Sequence, residues 1–390
     1  MKFTVAKTPF VAALQQTMRA IEKRSTLPIL SCVALLTDKD TLLIGGTDLD
    51  REIIVAVHLE EKTTKGRAAL NAATLLRMVK TLRDGAVFMV DTGKKADDRV
   101  EITCGTLKMR MDQLRYEDVP DRMAEANHTF THDFVIPRAT LSRMLTKTRI
   151  CVSTEETRYY LNGVYFEVDG GCLSATATNG HRLGNVKAPL PNGAIGMPGV
   201  IVPRAAIDDM IAFTERSGED ITVSLSNTYV RFAFNHFIVT SKLIDGSFPD
   251  YRRVVPLHAD AKIVVMKSDL ISCVKRVSAI QSDRNYAIAL SVAVDSDEMR
   301  LMSHNPDGEA EDSIGATFYE GTWVKPAEIG ADTQKPMTEL TIGFNAHYLL
   351  DIANHLEGDA ITINTIDPGS PAIFRGSAPD LLYVQMPLRV

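Results

Sequence analysis

The stretch ATNGHRLG at residues 177–184 holds the one His-Arg pair of the chain, and histidine is the side chain best suited to acid-base chemistry near neutral pH. In a hydrolase, His181 would act as general base, Asp245 or Asp250 would orient it, and Ser241 would attack the substrate. No G-x-S-x-G elbow, phosphate-binding glycine loop, HExxH motif or paired-carboxylate signature accompanies them. The alternative interpretation is a His-Arg pair that orders a loop or lines a groove, with no catalytic residue.

The cysteines predict neither a metal site nor a disulfide framework. They are 5 in number, far apart, without a CxxC pair or a cysteine-histidine cluster at metal-ligand spacing, which is typical of reduced thiols in a cytoplasmic protein. Lys7 and Pro9 interrupt the N-terminal apolar residues, so this stretch is a poor signal peptide. No apolar run approaches the roughly 18 residues of a membrane span. We expect a soluble cytoplasmic protein without metal, cofactor or membrane partner.

Two further segments combine apolar and basic residues in a way that suits binding. SKLIDGSFPDYRRV at 241–254 turns at Asp245-Gly246 and continues through an aromatic and arginine-rich stretch, which also fits a plain linker between domains. LLYVQMPLRV at 381–390 places apolar side chains where most domains carry polar ones. Composition alone does not explain this apolar segment.

These segments must be positioned by a structural unit that recurs six times along the chain. Each copy reads as a strand, a short break, an amphipathic helix and then two or three strands, so the pattern is β-α-β-β-β. In the third copy, Leu141, Met144 and Leu145 fall on one helical face, which predicts a single buried side. The copies begin near residues 2, 66, 133, 199, 262 and 339.

One helix with a few strands cannot close a core, so the units should pair into three similar α+β domains. Stretches rich in proline and charge, without periodicity, place the seams so that the domains are 1–125, 126–255 and 256–390. Residues 319–338, with the only Trp of the chain, predict an inserted surface loop in the third domain.

The net charge of -6 argues against a uniformly basic surface, yet the charge is unevenly distributed. The predicted helices carry 16 Lys and Arg against 9 Asp and Glu, about +7, which leaves about -13 for the rest of the chain. Such a layer could face the phosphates of duplex DNA without reading its bases, or it could be an ordinary solvated face. The helices counted are 8–24, 73–84, 138–150, 204–216, 267–284 and 345–357.

Seven stretches in this order resemble the bacterial sliding clamp, the beta subunit of DNA polymerase III. They are TLPIL (26–30), GTDLD (46–50), RYYLNG (158–163), ATNGHRL (177–183), VIVPR (200–204), SKLIDGSFPDYRRV (241–254) and MPLRV (386–390). The resemblance implies the DNA clamp fold, with three domains per chain and two chains joined head to tail into a ring. Helices would line the hole and sheets would form the rim. It further implies a non-catalytic processivity factor that encircles duplex DNA, independently of sequence, and tethers the replicative polymerase.

The resemblance also implies a groove for short apolar peptide motifs of the polymerase, the clamp loader, repair polymerases and other partners. Carried over by matching motif, the groove residues are Leu161, Thr178, Gly180, His181, Arg182, Leu183, Pro249, Arg253, Val254, Val384, Met386, Pro387, Leu388, Arg389 and Val390. The same carry-over gives Arg24, Tyr159 and Tyr160 as DNA contacts. The helix faces alone suggest Arg77, Lys80, Arg143, Lys147, Lys275 and Arg276 as further DNA contacts.

Some positions depart from the family pattern. Asn179 stands where the resemblance leads us to expect Asp, and Ala72 with Ala73 where a basic residue is expected. At the dimer seam, Met109 and Ile280 match the expected apolar character, although Gln281 follows Ile280. Two alternatives to the clamp stay open from the residues: a cationic DNA-binding scaffold that forms no ring, and a hydrolase using His181.

Overall fold

A computed structural model gives the fold of the chain. It describes residues 1–22, 25–61, 63–93, 99–120, 129–215, 218–256, 258–259, 261–281, 286–293, 296–306, 308–319 and 339–390. The chain divides into two compact units. The first unit comprises residues 1–142 and 191–244, and the second comprises residues 143–190 and 245–390.

Six α-helices occur within these residues. They are α1 (Lys7–Thr17), α2 (Ala72–Lys80), α3 (Arg138–Arg149), α4 (Arg204–Thr214), α5 (Lys267–Val277) and α6 (Ala346–His355). Asn71 and Asn345 cap two of them, since their side-chain oxygens accept hydrogen bonds from the backbone N–H of Thr74 and Tyr348 at 2.9 and 3.2 Å. Short 3₁₀ segments at Glu156–Leu161, Tyr251–Val254 and Ser278–Ile280 complete the helical structure used below.

The strands surround these helices in chain order. They are β1 (Lys2–Ala6), β2 (Cys32–Asp38), β3 (Thr41–Thr47), β4 (Arg51–His58), β5 (Gly66–Asn71), β6 (Val87–Asp91), β7 (Val100–Cys104), β8 (Leu107–Met111), β9 (Gln113–Leu114), β10 (His132–Ile136), β11 (Gly163–Asp169), β12 (Cys172–Thr178), β13 (Arg182–Pro189), β14 (Val200–Pro203), β15 (Ile221–Leu225), β16 (Tyr229–Phe234), β17 (Phe237–Lys242), β18 (Ala261–Met266), β19 (Ala287–Ala293), β20 (Glu298–Asn305), β21 (Gly308–Tyr319), β22 (Glu339–Asn345), β23 (Ala360–Thr365), β24 (Ala372–Arg375) and β25 (Leu381–Gln385).

The order of the elements confirms the predicted repeat. Each α-helix follows one strand and precedes at least three, so the β-α-β-β-β unit recurs six times within the described residues. In the third copy, Leu141, Met144 and Leu145 are buried, as the helical spacing predicts. Within the described residues, α1 and α5 are shorter than predicted, because a 3₁₀ turn follows each of them, at Met18–Ala20 and at Ser278–Ile280.

Sheets hold each unit together through antiparallel pairing. In the first unit, one sheet has the order β1-β6-β7-β8 and another the order β10-β15-β16-β17-β4-β3-β2-β5-β9. In the second unit, the strands are paired in the order β11-β12-β13-β25-β24-β23-β18-β21-β20-β19-β22. Strand β25 therefore joins two repeats, because it pairs with β13 on one side and β24 on the other.

Apolar side chains on the inner faces of the sheets and helices form the cores. Phe10 and Phe88 meet edge to face at 5.2 Å between ring centroids in the first unit, as Phe344 and Phe374 do at 5.5 Å in the second. The predicted domain boundaries stay a prediction, since both compact units combine two stretches of chain. Of the predicted insert 319–338, residues 320–338 lie outside the described residues.

Candidate peptide-binding site

The centre of the site is the pairing of β13 with β25. In this register Leu183 lies opposite Val384, and both side chains are buried. They pack with Tyr251 and Ile373 into one apolar cluster. Residues just over two hundred positions apart in the chain thus form a common floor, because the last strand of the sixth repeat adds to the sheet of the third.

A tight turn closes one side of this floor. The side-chain oxygen of Asn179 accepts hydrogen bonds from the backbone N–H of His181 and Arg182, both at 3.0 Å. The Thr178 hydroxyl donates to the Arg182 carbonyl at 2.8 Å, and Gly180 has φ +87°, a conformation that favours glycine. The departure from the expected Asp at 179 removes a charge but keeps the acceptor that the turn requires.

Contacts with α6 hold the Arg182 side chain in place. Its guanidinium pairs with Asp351 of α6 at 2.7 Å and lies 4.3 Å from the ring centroid of Tyr348, and the side chain is only 9% exposed. His181 stacks on the same Tyr348 ring at 6.5 Å between centroids. The His-Arg pair therefore orders the wall of the pocket, as the alternative interpretation of the sequence predicts.

The floor, the turn and the Tyr251–Val254 segment enclose a pocket of about 160 Å³. This volume is below that of a pocket for a drug-sized ligand, so the pocket suits an apolar side chain projecting from a longer peptide. Its lining residues are Leu161, Thr178, Gly180, His181, Arg182, Leu183, Pro249, Asp250, Tyr251, Val254, Val384 and Met386.

Sequence reasoning missed two lining residues, Asp250 and Tyr251. The Tyr251 ring is buried, its hydroxyl donates to Glu167 at 2.8 Å, and burial raises the pKa of this phenol. Phe248 stacks on Tyr165 at 4.8 Å beside it. The position of Tyr251 between the predicted groove residues Pro249 and Arg253 could have indicated its place in the pocket. The same aromatic residue also fits a linker that is anchored by its ring, so the sequence does not decide between the two.

Arg253 belongs to the predicted groove residues but does not line the pocket. Its side chain is 83% exposed and pairs with Asp250 at 2.9 Å. Asp250 directly precedes the 3₁₀ turn that contains Arg253, so the ion pair holds the Arg253 side chain close to the rim of the pocket.

The residues of the segment 386–390 line two different pockets, and their part in one peptide groove stays a prediction. Met386 lines the pocket, and its backbone N–H donates to the His181 carbonyl at 2.8 Å. After Pro387, the N–H of Leu388 donates to Gly343 of β22 at 2.8 Å. Arg389 and Val390 then line a second pocket, on the other side of this crossing.

The predicted DNA contacts fall into two groups. Arg77 and Lys80 on α2 and Lys275 on α5 are exposed. Arg276 is exposed too but pairs with Asp312 at 2.5 Å. Tyr159 is 53% exposed, and it meets the half-buried Tyr160 edge to face at 5.8 Å. Arg24 lies outside the described residues.

Arg143 and Lys147 form an internal network, whereas the helix-face argument placed them as outward cations. Arg143 binds Glu357 at 2.7 Å and Asp380 at 2.6 Å, and Lys147 donates to the His355 carbonyl at 2.6 Å. The hydrogen bonds to Asp380 and Glu357 raise the pKa of Arg143, and they lower the pKa of both carboxyls. The positive charges of Arg143 and Lys147 are thus largely neutralised by carboxylates within the second unit.

The predicted dimer residues are both half-buried. Met109 lies on β8, an edge strand of its sheet in the first unit. Ile280 ends a 3₁₀ turn in the second unit, where Asn305 donates a hydrogen bond to its carbonyl. Gln281 turns its amide inward, since Nε2 donates to the Ala287 carbonyl at 3.0 Å.

The residues of the hydrolase alternative each have a different partner. His181 stacks on Tyr348, Asp250 pairs with Arg253, and the Ser241 hydroxyl donates to the Lys242 carbonyl at 2.8 Å. In the part of the chain that the structure describes, no three His, Cys, Asp or Glu side chains cluster closely enough to hold a metal ion. The helices of this part are also too short and too polar to span a membrane.

The sixfold β-α-β-β-β repeat defines a protein of the clamp-fold class, and this fold carries the apolar pocket described above. Comparison with known proteins agrees with this. Models of the N-terminal, central and C-terminal domains of the DNA polymerase III beta subunit match residues 1–123, 135–250 and 252–389. The beta sliding clamp of Caulobacter vibrioides is 36% identical over 398 residues, with 100% of both chains covered.

Solved structures give the same result. The chain is similar to the sliding clamp of Bartonella birtlesii bound to griselimycin, with a TM-score of 0.90, 34% identity and 100% of both chains covered. It is also similar to the Caulobacter crescentus clamp with polyethylene glycol bound to its putative beta-motif tethering region, with a TM-score of 0.89, 34% identity, and 100% and 99% of the two chains covered. The chain belongs to the DNA polymerase III beta subunit family, the beta sliding clamps.

Proposed function

We propose that two copies of this chain form a ring around duplex DNA and tether the replicative polymerase to it. The clamp loader, repair polymerases and other proteins with short apolar motifs would bind the same groove. The observation that carries the proposal is the pocket that β13, β25 and the turn at 178–182 build in a member of the sliding clamp family.

The pocket has the chemistry that an apolar peptide motif needs. Leu183 and Val384 supply a rigid floor within a paired sheet, whereas Met386 is exposed and flexible enough to adapt to different side chains. A partner's Leu or Phe would bury its side chain there, and the polar rim would fix the direction of the peptide. Such a site gains from apolar burial and suits several partners.

The charges support loose retention of DNA. Because Arg143 and Lys147 are held in ion pairs, the exposed Arg77, Lys80 and Lys275 remain as the cations that would meet phosphates, together with Arg24 from the resemblance. Few phosphate contacts give a weak, salt-sensitive hold without base readout. Closure of the ring would therefore provide retention, and the charges would only centre the duplex.

The dimer seam would join Met109 of one copy to Ile280 of the other, head to tail. Among the described strands, β8 is an edge strand of its sheet, and a second copy would pair with this edge. Burial of both apolar side chains would add to this pairing. Such a ring would be a non-catalytic protein of the cytoplasm, without a cofactor.

Retention on circular DNA tests the proposal directly. The protein would be loaded by a clamp loader onto nicked circular plasmid and onto the same plasmid after linearisation, then separated from free protein at raised salt. A ring stays on the circle and is lost from the linear form. An open cationic scaffold would be removed by salt from both, and that outcome would refute the ring.

A further inference from the structure

A second pocket, of about 510 Å³, lies in the second unit on one face of β19, β20, β21 and β22. Ala287 and Ala289 form its floor, Met302 one side, and Arg389 with Val390 the other. We call this pocket the acidic trough, because Glu309 and Glu311 of β21 form its rim. The cation Arg389 and His304 also belong to its lining, so the acidic character is confined to the β21 side.

The strand register explains why a depression occurs here. Ala289 lies opposite Met302 on β20 and opposite Gly343 on β22, so its neighbour on one side has no side chain. A Cβ atom at Gly343 would lie 2.5 Å from the Leu388 carbonyl oxygen, so the crossing of the 386–390 segment requires glycine. Small residues thus lower the middle of the face and let Val390 cover one end of it.

The rim has a defined charge. Glu311 lies 3.6 Å from Arg300, a loose contact between two half-exposed side chains. Glu309 forms no ion pair with the other residues that the structure describes. A carboxylate above an apolar floor favours a ligand with a cationic head and an aliphatic stem, as in lysine or arginine.

One short segment of chain connects the lining of the peptide pocket to the lining of the acidic trough. Met386 lines the pocket and Arg389 lines the trough. Three residues of chain span at most about 10 Å. A peptide bound in the pocket therefore needs only a few extra residues to reach the trough.

We propose that the acidic trough binds a basic flank next to the apolar motif of a partner peptide. The inference rests on the proposed function of the pocket and adds to it a determinant of partner preference. Partners whose motif is followed or preceded by Lys or Arg would bind more tightly than partners with the motif alone.

The test uses the full-length protein and fluorescence-labelled peptides in a binding titration. One peptide carries a short Leu-Phe motif alone, a second adds a four-residue lysine-containing flank, and a third adds a glutamate flank of equal length, with each flank placed at either end. The lysine flank at one end should tighten binding by about three- to tenfold at low salt, and the gain should fall as salt rises.

The double variant Glu309→Gln with Glu311→Gln should remove this gain and leave the affinity of the short peptide unchanged. Glu298→Gln is the matched control, since Glu298 is exposed on β20 four residues from Met302 and does not line the trough. A second variant, Ala289→Leu, fills the floor without changing charge and should also reduce the gain.

The outcomes separate this inference from the proposed function. Equal binding of all peptides, or a lysine gain that persists in the double variant, would overturn the acidic trough. Failure of the short peptide to bind would refute the pocket itself and the trough with it.

Discussion

Removing residues 386–390 should separate folding from partner binding. The segment is held by two backbone hydrogen bonds, from Met386 to His181 and from Leu388 to Gly343. Its apolar side chains are more than one third exposed, at 37% for Met386 and 39% for Leu388. Each bond contributes about 0.5–1.5 kcal/mol, so the truncated protein should lose roughly 1–3 kcal/mol and remain folded.

The truncation should weaken peptide binding more, relative to the total binding free energy, than it weakens folding. Met386 is one wall of the pocket, and burying a methionine side chain is worth about 1.5–3 kcal/mol, which corresponds to a tenfold to roughly hundredfold loss of peptide affinity. Isothermal titration with a short Leu-Phe peptide measures the affinity, and circular dichroism checks the fold.

A shorter truncation provides the matched control. Removing only Arg389 and Val390, which line the acidic trough, should leave the affinity of the short peptide within about twofold. Unchanged affinity after removal of 386–390, or equal losses in both truncations, would refute the placement of Met386 in the pocket.

Three further predictions concern charged groups. Arg143→Met should cost about 1–2 kcal/mol in denaturant unfolding, less than a fully buried pair because its partners keep 35% and 38% exposure. Arg143 lowers the pKa of Asp380 in the folded protein. The stabilisation from this pair is therefore present above the unfolded pKa of about 4 and is lost as pH falls through the folded pKa. The stability of the Arg143→Met variant should thus depend less on pH in acid than the stability of the wild type. Asp209→Ala should cost about 1–3 kcal/mol in the same assay, because its 2% exposed carboxylate pairs with Arg19 and Arg51. The cost is below that of a fully buried pair, because Arg51 keeps its pair with Asp48 and burial raises the pKa of Asp209; a loss below about 0.5 kcal/mol would contradict this reasoning. Arg77→Ala with Lys80→Ala should lower the salt slope of DNA binding by about 1–2, whereas Arg143→Met should leave it unchanged, and equal slopes in the two variants would refute the division into free and paired cations.

The pattern of apolar residues predicted the architecture well, because periodicity is a local property. The spacing of Leu141, Met144 and Leu145 gave the buried face of α3, and the six copies of the unit follow the chain in the expected order. Charge was harder to interpret from the same helices. Whether a lysine or arginine is free depends on what folds against it, and the carboxylates that bind Arg143 come from more than two hundred residues further on.

The pocket shows the same division. Motif resemblance predicted most of its lining residues, but it missed Asp250 and Tyr251 and did not predict the second pocket, which Arg389 and Val390 line. A motif records which residues occur together, whereas the pairing register decides which side chains share a face. After the Leu388 N–H bonds to Gly343 of β22, Arg389 and Val390 line a different pocket from Met386.

The sequence by itself determined the sixfold repeat, the helix faces and the family of this protein, because these follow from local spacing and residue type. Only the tertiary structure decided which cations are neutralised and where the 386–390 segment lies. Ion pairs and strand crossings depend on contacts between residues far apart in the chain, and no local pattern encodes their geometry.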